Sequence, residues 1–170
     1  MNVTTVWTLL LGFVLGVVGT SAEAASQNKG QAGFYLVLAE GLTMDALPAP
    51  TTAQWIARYD YKFLRPEEKE PTKYLLLAKR PDVVLLLSKP PEKLKGEGGR
   101  TQLLLEATEE AAADLARVSR DHIGQLVAFV VDGDVVSTHK IRSAITDGKF
   151  RMSRCTDNAC EYIYGRLTKR

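Results

Sequence analysis

The chain has 170 residues, of which 45% are hydrophobic and 25% charged, and its formal net charge is +2. This composition is that of one ordinary globular domain. The charge is mild and the basic residues are scattered between acidic ones, whereas a nucleic-acid-binding surface needs basic residues clustered on one face. Nucleic acid is therefore not an expected partner.

Residues 1–24 have the features of a cleavable signal peptide. Residues 6–19 form an uncharged apolar run, shorter than the roughly 20 residues that span a bilayer. Ala22 and Ala24 then form an A-x-A site, which predicts cleavage after Ala24. Because no Lys or Arg precedes the run, an uncleaved membrane anchor remains the alternative. No cysteine directly follows the run, so a lipid anchor is not expected. Cleavage would raise the net charge to +3.

The first part of the remaining chain, residues 25–106, reads mainly as strands. Short strands are predicted over residues 33–39, 73–78, 82–87 and 101–106, with loops over 41–52 and 65–71. In residues 55–63 the aromatic residues fit both strand and helix spacing, and we favour a strand because aromatic residues suit a half-buried sheet. Residues 89–100 are polar and glycine-rich, which predicts a solvated loop that packs against nothing.

The second part begins with the clearest helix signal. Thr108 can cap a helix whose Ala111, Leu115, Val118 and His122 share one face, and Gly124 suits its end. Strands follow over residues 126–131, 134–138 and 149–153, joined by turns at Asp132-Gly133 and Asp147-Gly148. A last helix, capped by Thr156 or Asp157, carries Cys160, Ile163, Tyr164 and Leu167 on one face. Because helices and strands do not alternate, the predicted class is α+β, a small mixed or antiparallel sheet with two main helices packed on it.

The groups that could carry chemistry do not assemble into a known site. Ser137 and His139 lie two apart and share a strand face, but no acid is placed to orient the histidine. His122 sits at a helix end, where a capping or core role is favoured. Asp132, Asp134 and Asp147 lack calcium-loop spacing, and residues 96–99 lack the Lys-Ser/Thr of a phosphate loop. We therefore expect no catalytic residue, no cofactor, no metal and no enzyme activity.

Cys155 and Cys160 are the only cysteines, and their C-x4-C spacing gives at most half a zinc site. Residues five apart in one continuous helix are too distant to bridge. If Cys155 ends a strand and Cys160 lies in the first turn of the helix, the gap can close. A structural disulfide is expected, and a redox-active pair remains the alternative.

Residues 108–154 resemble the head of the first periplasmic domain of SecD, the export-motor component also found fused as SecDF. The resemblance lies in a T-x-E-x-A helix, an I-G pair, an apolar strand, D-G-x-V-x-S, and I-x-x-x-I-x-x-G before a closing strand. The matching positions are Thr108, Glu110, Ala112, Ile123, Gly124, Asp132, Gly133, Val135, Ser137, Ile141, Ile145 and Gly148. The resemblance implies an α+β head that engages a translocating chain outside the membrane. The chain lacks the charged membrane helices that couple SecD to proton flow, and its CTDNACEYIYGRL ending is foreign to the pattern.

Together these observations predict a signal peptide at 1–24 and a single α+β domain at 25–170, with a SecD-head-like segment at 108–154 and a C-terminal helix at 155–170. Whether residues 25–106 form a separate lobe stays open. The expected function is that of a non-enzymatic, periplasmic or secreted module that binds protein, either an unfolded exported polypeptide or an envelope complex. The alternative is a structural subunit of such a complex that binds no client. Contact with a membrane is expected only through a partner or an uncleaved signal anchor.

Overall fold

A computed structural model describes residues 31–169, so the predicted signal peptide lies outside the described residues. The described part contains ten strands and two helices. The strands are β1 Ala32–Leu36, β2 Ala39–Gly41, β3 Gln54–Tyr59, β4 Lys73–Ala78, β5 Val83–Val84, β6 Glu92–Lys95, β7 Thr101–Glu106, β8 Leu126–Val131, β9 Asp134–Lys140 and β10 Lys149–Met152. The helices are α1 Glu109–Asp121 and α2 Asp157–Thr168. None of the helices within residues 31–169 has the length and hydropathy of a membrane span.

The strands form three antiparallel sheets within the described residues, with the orders β5-β1-β8-β9, β10-β7-β6 and β2-β4-β3. The predicted α+β class is confirmed, with most of the structure in sheets. The first sheet is central because one of its faces packs against β7 and α2 and the other against β3 and β4. Each large apolar side chain buried in these two cores stabilises the fold by roughly 1.5–3 kcal/mol.

The two parts of the chain are interleaved. Strand β1 lies between β5 and β8 in the central sheet, and β7 pairs with β10. Two of the three sheets therefore combine strands from residues 32–106 with strands from residues 126–152. The hairpin of β8 and β9 turns at Asp132 and Gly133, whose φ angles are +53° and +86°. Such positive values suit a two-residue hairpin turn and favour glycine at the second position.

Some predicted strands have different bounds. Residues 33–39 divide into β1 and β2, and only Val83–Val84 of residues 82–87 pair as a strand. The strand predicted over residues 55–63 ends at Tyr59, because Tyr61 has a φ of +56° that breaks the extended backbone.

The prediction that residues 89–100 pack against nothing is wrong. Within that segment β6 pairs with β7, and a 3-10 turn at Glu97–Gly99 connects the two strands. Its charged residues suit an exposed sheet edge, where β7 supplies the hydrogen bonds and only Leu94 is apolar. Lys93 also contacts α2 through an ion pair with Glu161 of 2.6 Å.

Both helices begin at the predicted caps. The Thr108 Oγ1 accepts a hydrogen bond from the Ala111 N–H, and the Thr156 Oγ1 accepts one from the Ala159 N–H. Thr156, rather than Asp157, is therefore the cap of α2. Helix α1 buries Ala111, Leu115 and Val118 as predicted, and His122 is its C-terminal cap residue.

The predicted disulfide between Cys155 and Cys160 is present, with Cα atoms 5.7 Å apart. Cys155 precedes the cap of α2 and Cys160 lies in its first turn, so the chain folds back between them as the spacing required. Both residues are buried in the core shared by α2 and β7. The bridge therefore holds the start of α2 against the sheets.

Candidate functional site

A groove of about 430 Å³ opens beside the core between the central sheet and β10. It falls within the size range of small-molecule pockets. The central sheet, α1, the connection between β9 and β10, and β10 itself all contribute apolar side chains to it. These are Phe34, Val127, Phe129, Val136, Leu115, Val118, Ile141, Ile145, Phe150 and Met152.

The groove lies between the edge strands of two sheets. Strand β9 is the last strand of the central sheet and β10 the last of its neighbour, and both line the groove without pairing with each other. The Ile141 N–H donates to the Gln125 carbonyl oxygen (2.9 Å), and the Ala107 N–H donates to the Gly148 carbonyl oxygen (3.0 Å). Because hydrogen bonding alternates along antiparallel pairs, the backbone groups of Lys140 and Arg151 point away from their own sheets.

One stretch of the β9 edge is already occupied. The hydroxyl of Tyr59 on β3 hydrogen bonds to Thr138, and burial is the main reason that the pKa of Tyr59 rises to about 12. An ion pair of 2.7 Å between Lys62 and Asp134 ties the following segment to the start of β9. The open part of the β9 edge is therefore its carboxyl end, at Lys140.

The connection between β9 and β10 is fixed to α1 by two contacts. The buried Ser119 on α1 accepts a hydrogen bond from the Ile145 N–H (2.8 Å) through its Oγ. Gly148 lies against Ala112 so closely that a Cβ on the glycine would be 2.6 Å from the Ala112 Cβ. These contacts hold Ile141 and Ile145 in place as one wall of the groove.

The charged residues of the groove are all basic. Lys140, Arg142, Arg151 and Arg154 line it together with His139, and no aspartate or glutamate is among its lining residues. Arg154 pairs with Glu68 at 3.1 Å. The other three make no ion pair with any residue in 31–169.

Ser137 and His139 both line the groove, on the shared face that their spacing predicts. Ser137 lies opposite Phe129 and His139 opposite Val127 in the β8–β9 pair. Desolvation lowers the pKa of His139, and Arg154 lowers it further. Both effects favour the neutral imidazole. In the described part of the chain no hydrogen bond joins it to Ser137, and no carboxylate in the groove orients it.

The residues of the SecD-like motif divide between the groove and the frame around it. Ser137, Ile141 and Ile145 line the groove, and Gly148 supports its wall. Among the others, which lie outside it, Gly124 follows α1, Asp132 and Gly133 form the hairpin turn, and Val135 lies in the core shared with β3 and β4. Cys155 lines the groove, while its partner Cys160, in the first turn of α2, is buried in the core.

Two groups of groove residues were missed in the sequence. Residues 139–154 contain five lysines and arginines and only one aspartate, a local excess hidden by the mild charge of the whole chain. The statement that basic residues are scattered is thus wrong for this segment. Ser119 was also missed, although a serine beside Leu115 and Val118 on the buried helix face signals a polar group with a specific partner.

No family model and no curated protein matches the chain. Solved structures of SecDF are similar to it. The first, from work on SecDF as a membrane component that enhances protein export, has 21% identity and a TM-score of 0.49, covering 89% of this chain and 71% of that one. SecDF in a super-membrane-facing form has 23% identity and a TM-score of 0.48, covering 85% and 20%. The translocon-associated SecDF of Thermus thermophilus has 21% identity and a TM-score of 0.45, covering 84% and 20%.

The chain spans about a fifth of the length of the last two SecDF chains. All three structures are of the family that residues 108–154 resemble in their motif.

Proposed function

We propose that this chain is a non-enzymatic, extracytoplasmic module that binds extended polypeptide segments in the groove between β9 and β10. The observation that carries the proposal is that two open sheet edges border one apolar groove. An extended peptide satisfies its backbone at a sheet edge and places alternate side chains in apolar pockets. Folded partners rarely offer such a segment, whereas unfolded chains do.

The absence of a catalytic arrangement in the groove supports a binding role. Ser137 and His139 share a face, but the groove offers no carboxylate to hold the imidazole as a base. A neutral, unoriented His139 suits a polar contact to a ligand better than nucleophilic chemistry. The proposed ligand is therefore held and released unchanged.

The motif resemblance of residues 108–154 to the SecD head supports exported, unfolded polypeptide as the natural ligand. The disulfide supports an oxidising compartment, because such bridges persist outside the cytoplasm. We place the protein in the periplasm or among secreted proteins on these two grounds together with the signal-like residues 1–24. Contact with a membrane then comes through a partner or a retained signal anchor.

Fluorescence anisotropy with a labelled, unstructured peptide of alternating apolar residues tests the proposal. We expect saturable binding by the purified protein, weakened at least fivefold by Val127→Gln, which places an amide against the apolar lining. Val84→Gln is the matched control, since Val84 lies exposed on β5 at the other edge of the same sheet. Lack of saturable binding, or equal weakening by both variants, would refute the proposal.

A second candidate function rests on a different surface. Leu38, Leu42 and Met44, around β2, are 52%, 64% and 54% exposed. Neighbouring apolar residues this exposed suit a stable protein contact, as expected of a structural subunit of an envelope complex. Triple substitution of these residues by serine would abolish co-purification with a membrane partner if this function holds, and would leave peptide binding in the groove unchanged.

A further inference from the structure

The groove combines an apolar lining with charges of one sign. Its lining residues include lysine, arginine and histidine but neither aspartate nor glutamate. The permanent positive charge comes from Lys140, Arg142, Arg151 and Arg154. Glu68 offsets only the last of these.

Three of these cations lie beside the open edges of β9 and β10. Lys140 and Arg151 are the residues whose backbone groups point away from β9 and β10, and Arg142 follows β9 by two residues. All three are exposed, so their long side chains can reach groups that flank the apolar lining. A peptide strand on either edge therefore runs beside at least one unpaired cation.

We infer that the groove selects extended segments in which apolar residues are flanked by aspartate or glutamate, and disfavours segments flanked by lysine or arginine. The inference rests on the proposed peptide-binding function and adds the chemistry of the preferred ligand. Charge complementarity of this kind raises association rates and excludes ligands of like charge. A basic segment would place like charges together with no acidic residue in the groove to offset them.

The preference for acidic peptides should be modest, because the cations are exposed. Exposed ion pairs are individually weak, so two of them give about a tenfold preference for an acidic over a neutral peptide at low salt. Screening shortens the reach of such charges to about 10 Å at 0.1 M salt and about 3 Å at 1 M, so the preference should fall as salt rises. The apolar contribution to binding should not fall.

Three peptides with one shared apolar core and flanking Glu, Gln or Lys pairs test the inference by anisotropy. We expect affinity in the order Glu, Gln, Lys at 20 mM NaCl, and convergence of the three affinities at 1 M. The double variant Lys140→Glu and Arg142→Glu should reverse the order, while Arg80→Glu, an exposed charge outside the groove, should leave it unchanged.

Different outcomes would contradict the charge preference and the peptide binding on which it rests. Equal affinities for the three peptides, all weakened by Val127→Gln, would overturn the charge preference and leave peptide binding standing. If no peptide binds, both fail. If no peptide binds but phosphatidylglycerol vesicles do, and the double variant abolishes that binding, the cations serve an anionic lipid and the inference is overturned.

Discussion

Substitution of Gly148 by alanine tests whether the wall of the groove is built as described. Gly148 has a φ of +64°, which costs an alanine about 1–2 kcal/mol. The new Cβ would also lie 2.6 Å from the Ala112 Cβ on α1, an overpacked contact that costs about 1–3 kcal/mol. Gly148→Ala should therefore lower the free energy of unfolding by about 3 kcal/mol.

Urea denaturation of the wild type and four variants separates these two causes. Gly133→Ala is the matched control, because Gly133 has a φ of +86° with no heavy atom within 4 Å of an added Cβ, and it should lose only about 1–2 kcal/mol. In an Ala112→Gly background the Gly148→Ala change should cost about 1–2 kcal/mol less than in the wild type, since the contact is gone. Equal losses for Gly148→Ala and Gly133→Ala, with no coupling to Ala112, would refute the reasoning.

Three further predictions concern the frame of the groove. Replacing both Cys155 and Cys160 by alanine should lower the free energy of unfolding in urea by about 2 kcal/mol, because the loop constraint is lost. The loss of two buried sulfur atoms from the core should lower it further. An unchanged stability would contradict this prediction. Ser119→Ala should cost about 1–3 kcal/mol, because it leaves the part-buried Ile145 N–H without an acceptor, and it should speed amide exchange at that loop. The Thr101 N–H holds the pKa of Asp157 below its ordinary value of 3.8, so this carboxylate stabilises the fold at neutral pH and the contribution disappears as the pH falls below 3.8. Asp157→Asn should accordingly be less stable than wild type at pH 7 and indistinguishable from it near pH 2, and an equal deficit at both pH values would count against the pairing.

The elements with strong apolar patterns could be predicted from the sequence. The bounds of β4, β7 and β8 agree with the predicted strands to the residue, because each combines a run of leucine or valine with clear flanking turns. The caps of α1 and α2 were also visible, since threonine before an acidic residue is a local signal. By contrast, β6 carries one apolar residue, and its partner strand, rather than its own sequence, makes it a strand.

The groove could be predicted only in part. The shared face of Ser137 and His139 followed from strand periodicity, and a protein-binding module was expected. That β9 and β10 end two different sheets depends on long-range pairing, which a local pattern does not encode. The cations are visible in the sequence as a cluster in residues 139–154. Their role in a binding groove depends on the neighbouring apolar lining, which only the fold brings together.

Amide hydrogen exchange with and without a saturating extended peptide tests the central claim most directly. If the peptide pairs with the open edges, exchange at Lys140, Arg151 or both should slow at least tenfold, because their N–H groups point away from their own sheets. Amides of β6, the other edge of the β10 sheet, should be unaffected. Saturable binding that leaves Lys140 and Arg151 unprotected, or that protects β6 or the residues around Leu42 instead, would contradict the account.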